Sequence, residues 1–234
     1  MIDERVAIFP PKGSNLGLQS FSREVVEAAW DSISPPDFAS GPLPRGDGQT
    51  VLLIPGFLAG DWTMARLRTF LVGLGYRVET ARVFFNPGPT SRMIAQLDAA
   101  LLRLAKSGKI NIIGQSLGGV LARSLAQRYP HSVRRVVTMC SPIRFPVTTP
   151  LEPFAQMLAP FHDAKWVARR HEIAQSVPVP VTAIYSIDDG IVDWRQCVQD
   201  EAPGCENVCV RGAHTVMGSN PQAQAAIAFA LARD

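Results

Sequence analysis

The sequence predicts an α/β fold: a mostly parallel central sheet with helices on both faces and a small helical cap. Three observations predict it. Short apolar, β-branched runs alternate with stretches whose apolar residues recur at helical spacing, and such alternation gives a parallel sheet covered by helices on both sides. One run, residues 110–113, passes through Gly114-Gln115-Ser116-Leu117-Gly118-Gly119 into a helical stretch over 120–126, a strand–turn–helix built on G-x-S-x-G. Residues 141–177 then break the alternation with prolines at 142, 146, 150, 153 and 160 and with Phe145, Phe154, Met157, Leu158, Phe161 and Trp166.

Taken in order, residues 1–49 read as an N-terminal arm packed on the core. A helix is expected over 21–30, with Val25, Val26, Ala29 and Trp30 on its apolar face, framed by Pro10-Pro11, Pro35-Pro36, Pro42 and Pro44. The main domain occupies 50–234. Residues 50–54 form an apolar run ended by Pro55-Gly56, a buried parallel strand by composition. Met64, Leu67, Leu71 and Leu74 follow at helical spacing, and Gly73 and Gly75 end that helix. Residues 76–80 alternate as a strand. After Pro87-Gly88-Pro89, Thr90 or Ser91 caps a helix carrying Met93, Ile94, Leu97, Leu101 and Leu104, stopped by Gly108. Residues 135–140 make the strand after the serine motif. The 141–177 insertion, rich in aromatics and methionine, suits a cap over an apolar pocket, with Phe154, Met157 and Phe161 as its lining. Strands over 179–185 and 206–210 and an alanine-rich helix over 221–233 complete the chain.

A chain of 234 residues with 47% hydrophobic and 18% charged residues supports a sizeable core. Its net charge of +3 is too small and too scattered for a nucleic-acid surface. No apolar run approaches the roughly 18 residues of a membrane span. Met1-Ile2-Asp3-Glu4-Arg5 is not a basic-then-apolar leader, so a cytoplasmic protein is expected. Cys140 and Cys209 lie in apolar runs and read as core residues, whereas Cys197 and Cys205 flank a loop with Pro203-Gly204 and suit either a short disulfide or two free thiols. Without C-x-x-C or clustered histidines, no zinc site is expected.

The serine motif carries the chemistry. A sharp strand-to-helix turn holds Ser116 in a strained conformation, and Gly114 and Gly118 leave room for it. The helix N-terminus beneath it favours developing negative charge. Serine is a weak nucleophile without a base, and the base needs an orienting carboxylate. Both belong in loops after later strands. His131 follows Tyr129-Pro130 at a helix end, and His162 and His171 fall in the insertion. His214, just after the last strand, has the required position. Asp188, Asp189 and Asp193 all follow the strand ending near Ser186. Asp189, directly before Gly190-Ile191-Val192, is favoured. Asp188 reads as a solvated loop end and Asp193 as a cap of the segment at Trp194.

The order Ser116, Asp189, His214 resembles the α/β-hydrolase superfamily, in particular its bacterial esterase/lipase-like members, over roughly residues 50–232. The motifs Ile54-Pro55-Gly56-Phe57, Gly114–Gly119, 186–192 and Gly212-Ala213-His214 carry the resemblance. It implies an acid residue at Asp189 and an oxyanion hole from the N–H groups of Leu117 and Phe57. Pro55 stands where many members have a histidine that stabilises the loop. The implied activity is hydrolysis of a small-molecule carboxylic ester through an acyl-enzyme, with no metal or organic cofactor. A thioesterase, amidase or acyltransferase would use the same triad. A non-catalytic binding protein of this fold would usually lack a triad member, and here all three candidates are present.

Overall fold

The computed structural model describes residues 16, 18–145, 147–173 and 175–233. The N-terminal residues read for a leader, Pro10-Pro11 and Pro146 lie outside the described residues. The elements run α1 (Leu18–Ile33), β1 (Thr50–Ile54), α2 (Ala65–Gly73), β2 (Arg77–Thr80), α3 (Ser91–Leu104), β3 (Ile110–Gln115), α4 (Leu117–Arg128), β4 (Val133–Met139), α5 (Glu152–Leu158), α6 (Ala164–Ala168), α7 (Arg170–Ile173), β5 (Val181–Ser186), β6 (Cys205–Val210) and α8 (Pro221–Leu231). Thr90 caps α3, its Oγ1 accepting the Met93 N–H at 3.2 Å.

The strands form one sheet in the order β2-β1-β3-β4-β5-β6, every neighbouring pair parallel. A strand buried on both faces must be apolar on both, and β1 is. Val51 and Leu53 face a core built with Leu67 and Leu71 of α2 and Ile227 of α8. Leu52 and Ile54 face a second core built with Leu97 of α3 and Leu121 of α4. The order also opens a cleft. From β1 the chain steps outward to β2, then crosses back to lay β3 on the other side of β1. Connections that leave neighbouring strands in opposite directions open a crevice at their carboxyl ends. There, Gly56-Phe57 leaves β1 and Ser116 leaves β3.

Between β4 and β5 the insertion folds as the short helices α5, α6 and α7. Arg123 of α4 ties its end to the core: the buried guanidinium donates to Ile173 O at 2.9 Å, Gln175 O at 2.8 Å and Gln199 Oε1 at 3.0 Å. Burial lowers its pKa to about 10.

The N-terminal helix exists, but the face it turns to the body is not the expected one. Val25, Val26, Ala29 and Trp30 are exposed, and the inward stripe is Phe21, Glu24, Ala28 and Asp31. Glu24 is fully buried. Apolar spacing misassigned this helix because its anchor is a carboxylate that meets backbone donors, which no hydrophobic pattern reveals. All four cysteines are free thiols. No helix among the described residues is long and apolar enough to cross a membrane.

Candidate active site

Ser116 sits between β3 and α4 with φ 52° and ψ −126°, a conformation a residue with a Cβ rarely adopts. Crowding forces the turn. A Cβ on Gly114 would lie 2.3 Å from the backbone of Gly118, and one on Gly118 would lie 2.2 Å from Ile54 O. The helix can start beneath the serine only with glycine at both positions. The Ser116 N–H is held by Met139 O at 2.8 Å.

Asp189 and His214 leave β5 and β6 toward the same rim. Oδ1 of Asp189 accepts the N–H groups of Ile191 and Val192, both at 2.8 Å, which leaves Oδ2 for Nδ1 of His214 at 2.7 Å. The acceptor-only carboxylate requires the proton on Nδ1, so Nε2 is the basic nitrogen. Both side chains are buried. Burial pulls the imidazole pKa down. The charge and hydrogen bond of Asp189, aided by the charge of Glu24, outweigh burial and leave it raised. Cys140 adjoins the pair at φ 48°. Burial, then the Asp189 charge, hold its thiol well above the ordinary range. The donor atoms of Cys140, Asp189 and His214 lie within 4.8 Å of one another. Asp189 holds this cluster together through hydrogen bonds from Nδ1 and two amides.

The other candidates fall elsewhere. Asp188 is no solvated loop end: its Oδ2 accepts from Arg211 Nε at 2.5 Å and Gly212 N at 3.3 Å. Asp193 caps the turn at Trp194, accepting the Arg195 N–H at 3.0 Å. His131 is exposed. His162 and His171 border a cavity beside Ser116.

That cavity, about 490 Å³, is walled by Phe57, Leu117, Phe145, Leu151, Trp166 and Val167, among others. Phe154, Met157 and Phe161 are not in its wall; they are 49%, 64% and 68% exposed. On the seven-residue α5 and its cap, Leu151, Ala155 and Leu158 face inward instead. Size drew the sequence reading to the large side chains, and the helix register turns them out. A second cavity of about 590 Å³ also borders Ser116, lined by Phe21, Val25, Trp62 and His214 among others. Ser116 and Phe57 border both cavities. Leu117 is the first residue of α4, so its N–H has no acceptor within the helix.

A family model for the alpha/beta hydrolase fold matches residues 49–171. The chain belongs to that family. Among solved structures, one from the metagenome-derived lipolytic enzymes LipS and LipT is 17% identical with a TM-score of 0.59, covering 84% of this chain and all of that one. A lipase-esterase related protein from Clostridium acetobutylicum is 15% identical with a TM-score of 0.56, covering 81% and 96%. A thioesterase domain from the curacin biosynthetic pathway is 16% identical with a TM-score of 0.54, covering 83% and 99%. At these identities the likeness is one of fold. No curated protein matches the chain by sequence.

Within this hydrolase fold, three supporting residues escaped the sequence reading. Asn86, fully buried, staples the loop after β1: Nδ2 donates to Pro55 O at 2.9 Å, Oδ1 accepts from Gly88 N at 3.0 Å, and its backbone pairs with Leu58 N and Ala59 O. It holds the loop that lacks the histidine at Pro55. Gln115 donates to His214 O at 2.8 Å. Glu24 accepts the His214 N–H at 2.9 Å. Asn86 and Glu24 are single polar residues in segments without a motif, whereas Gln115 stands inside the serine motif. The one usable sign was the position of Gln115, next to the serine.

Proposed function

We propose that the chain hydrolyses carboxylic esters, with Ser116 as nucleophile, His214 as general base and Asp189 as the carboxylate that orients it. The supporting observation is the 2.7 Å bond from Asp189 to Nδ1 of His214, beside a serine held at positive φ on the border of the same cavity. Nε2 takes the Ser116 proton as Oγ attacks the carbonyl carbon. The oxyanion meets the N–H groups of Phe57 and Leu117, each such donor typically worth about 2.7–4 kcal/mol. Collapse breaks the carbon–oxygen bond, His214 protonates the leaving alcohol, and an acyl-enzyme remains. Water, giving its proton to the same imidazole, attacks the acyl carbon and frees the acid and Ser116. The two cavities would take the acyl and alcohol portions, and the 141–177 insertion would serve as a cap over the first.

An uncharged ester with apolar groups suits these walls. Esters of graded chain length, run beside thioesters and amides, test this reading. The expected result is the highest kcat/KM for an ester. A thioester turned over faster would replace the ester assignment, and no turnover of any acyl substrate would overturn the reading. The pH profile is a second check. His214 must be neutral to accept a proton, and its pKa is raised. The acidic limb of kcat/KM is therefore expected to have its midpoint above the ordinary histidine value of about 6.5. A midpoint below that value would contradict His214 as the base.

A further inference from the structure

The fully buried carboxylate of Glu24 lies outside the chemistry, on a helix outside the sheet's layers, yet it touches both loops that carry the base and its partner. Oε1 accepts the Gly190 N–H at 2.8 Å and the His214 N–H at 2.9 Å. Oε2 accepts the Thr215 N–H at 2.9 Å and lies 3.0 Å from Thr215 Oγ1, which is also 2.9 Å from Glu24 O. Gly190 directly follows Asp189. One carboxylate thus joins the residue after the acid to the histidine itself and the residue after it. Every partner is a donor, the set an ionised carboxylate matches.

The approach of α1 is built in as well. A Cβ on Gly190 would lie 2.7 Å from Ser20 O and 3.0 Å from Glu24 Cγ, so glycine is what admits the helix. One residue earlier, Arg23 donates to the Asp188 carbonyl, and Asp188 in turn pairs with Arg211 beside Gly212.

We propose that Glu24 is a positioning residue for this reaction: from α1 it clamps the Asp189 loop to the His214 loop and sets the geometry between the two side chains. The N-terminal helix thereby completes the active site. This inference rests on the triad reading above. Its charge also acts at a distance: Glu24, with Asp189, raises the His214 pKa against burial, and Cys140 and Cys197 are further titratable groups beside Asp189.

The test is Glu24→Gln, which keeps the shape but turns one acceptor into a donor facing N–H groups. With rates normalised to active sites counted by covalent inhibitor, kcat is expected to fall about tenfold to a hundredfold, as misplaced catalytic groups do. KM should stay near wild type, and the acidic limb of kcat/KM should move to lower pH because a charge favouring the imidazolium is gone. Glu24→Asp keeps the charge on a shorter arm. It should show an intermediate kcat with the limb unmoved, and it decides the matter if Glu24→Gln does not fold. Wild-type kcat per active site with an unmoved limb in Glu24→Gln, or wild-type kcat in Glu24→Asp, would overturn the proposal. Ser116→Ala separates the two readings. If it retains hydrolysis, the triad reading fails. If it is inactive while the Glu24 variants match wild type, only the Glu24 inference fails.

Discussion

Ser116→Ala is expected to lower kcat for ester hydrolysis by about 10⁶-fold, the scale seen when an acyl-transfer nucleophile is removed. No neighbouring side chain can substitute at that position. The serine alone stands where β3 meets α4 at the rim, and its neighbours Gln115 and Leu117 are committed to holding His214 O and to starting the helix. Alanine carries the same Cβ at φ 52°, so the strained turn is neither relieved nor worsened. The melting temperature should therefore stay at the wild-type value while activity vanishes. Loss of activity together with loss of fold would point to a structural role. Retained activity would remove Ser116 from the chemistry.

Asp189→Asn is expected to cost about 10⁴-fold in kcat with little change in KM. The direction follows from the amides of Ile191 and Val192. Both donate to Oδ1, so an asparagine must place its carbonyl oxygen there and turn its NH₂ toward His214. Nδ1 then has to accept, the ring proton moves to Nε2, and the nitrogen that should receive the serine proton already carries one. Steady-state kinetics with a short ester checks this. A loss under tenfold would mean that Asp189 does not set the tautomer.

Much of the fold was legible because its causes are local and periodic. Apolar, β-branched runs such as 50–54 and 110–113 read as buried strands, as β1 and β3 are, and the glycines around Ser116 mark a turn that tolerates no side chain. The alternation gave the parallel sheet, and the crevice at its reversal of order follows from connectivity. The positions of Ser116, Asp189 and His214 were readable because each follows a strand, and the structure gathers Asp189 and His214 into one hydrogen bond. What stayed hidden is long-range and polar. Glu24 reaches across the sequence to residues 190, 214 and 215, and no spacing rule predicts such a contact. The apolar stripe of Val25, Val26 and Trp30 even pointed the other way. Asn86 was invisible for the same reason: apart from Gly88 N, its partners Pro55, Leu58 and Ala59 lie on another loop. The size of Phe154, Met157 and Phe161 points to a pocket wall, but on α5 and the short turn after it a single step of register decides between pocket and solvent.

The central claim is that Ser116 is made nucleophilic by His214 and Asp189. Fluorophosphonate labelling followed by peptide mass spectrometry tests it most directly. One adduct is expected, on the peptide containing Ser116, forming rapidly in the wild type and at least a hundredfold more slowly in His214→Ala, in line with typical general-base contributions of about 10²–10⁴. An adduct on another residue of active enzyme, or labelling of Ser116 that is indifferent to the loss of His214, would contradict it.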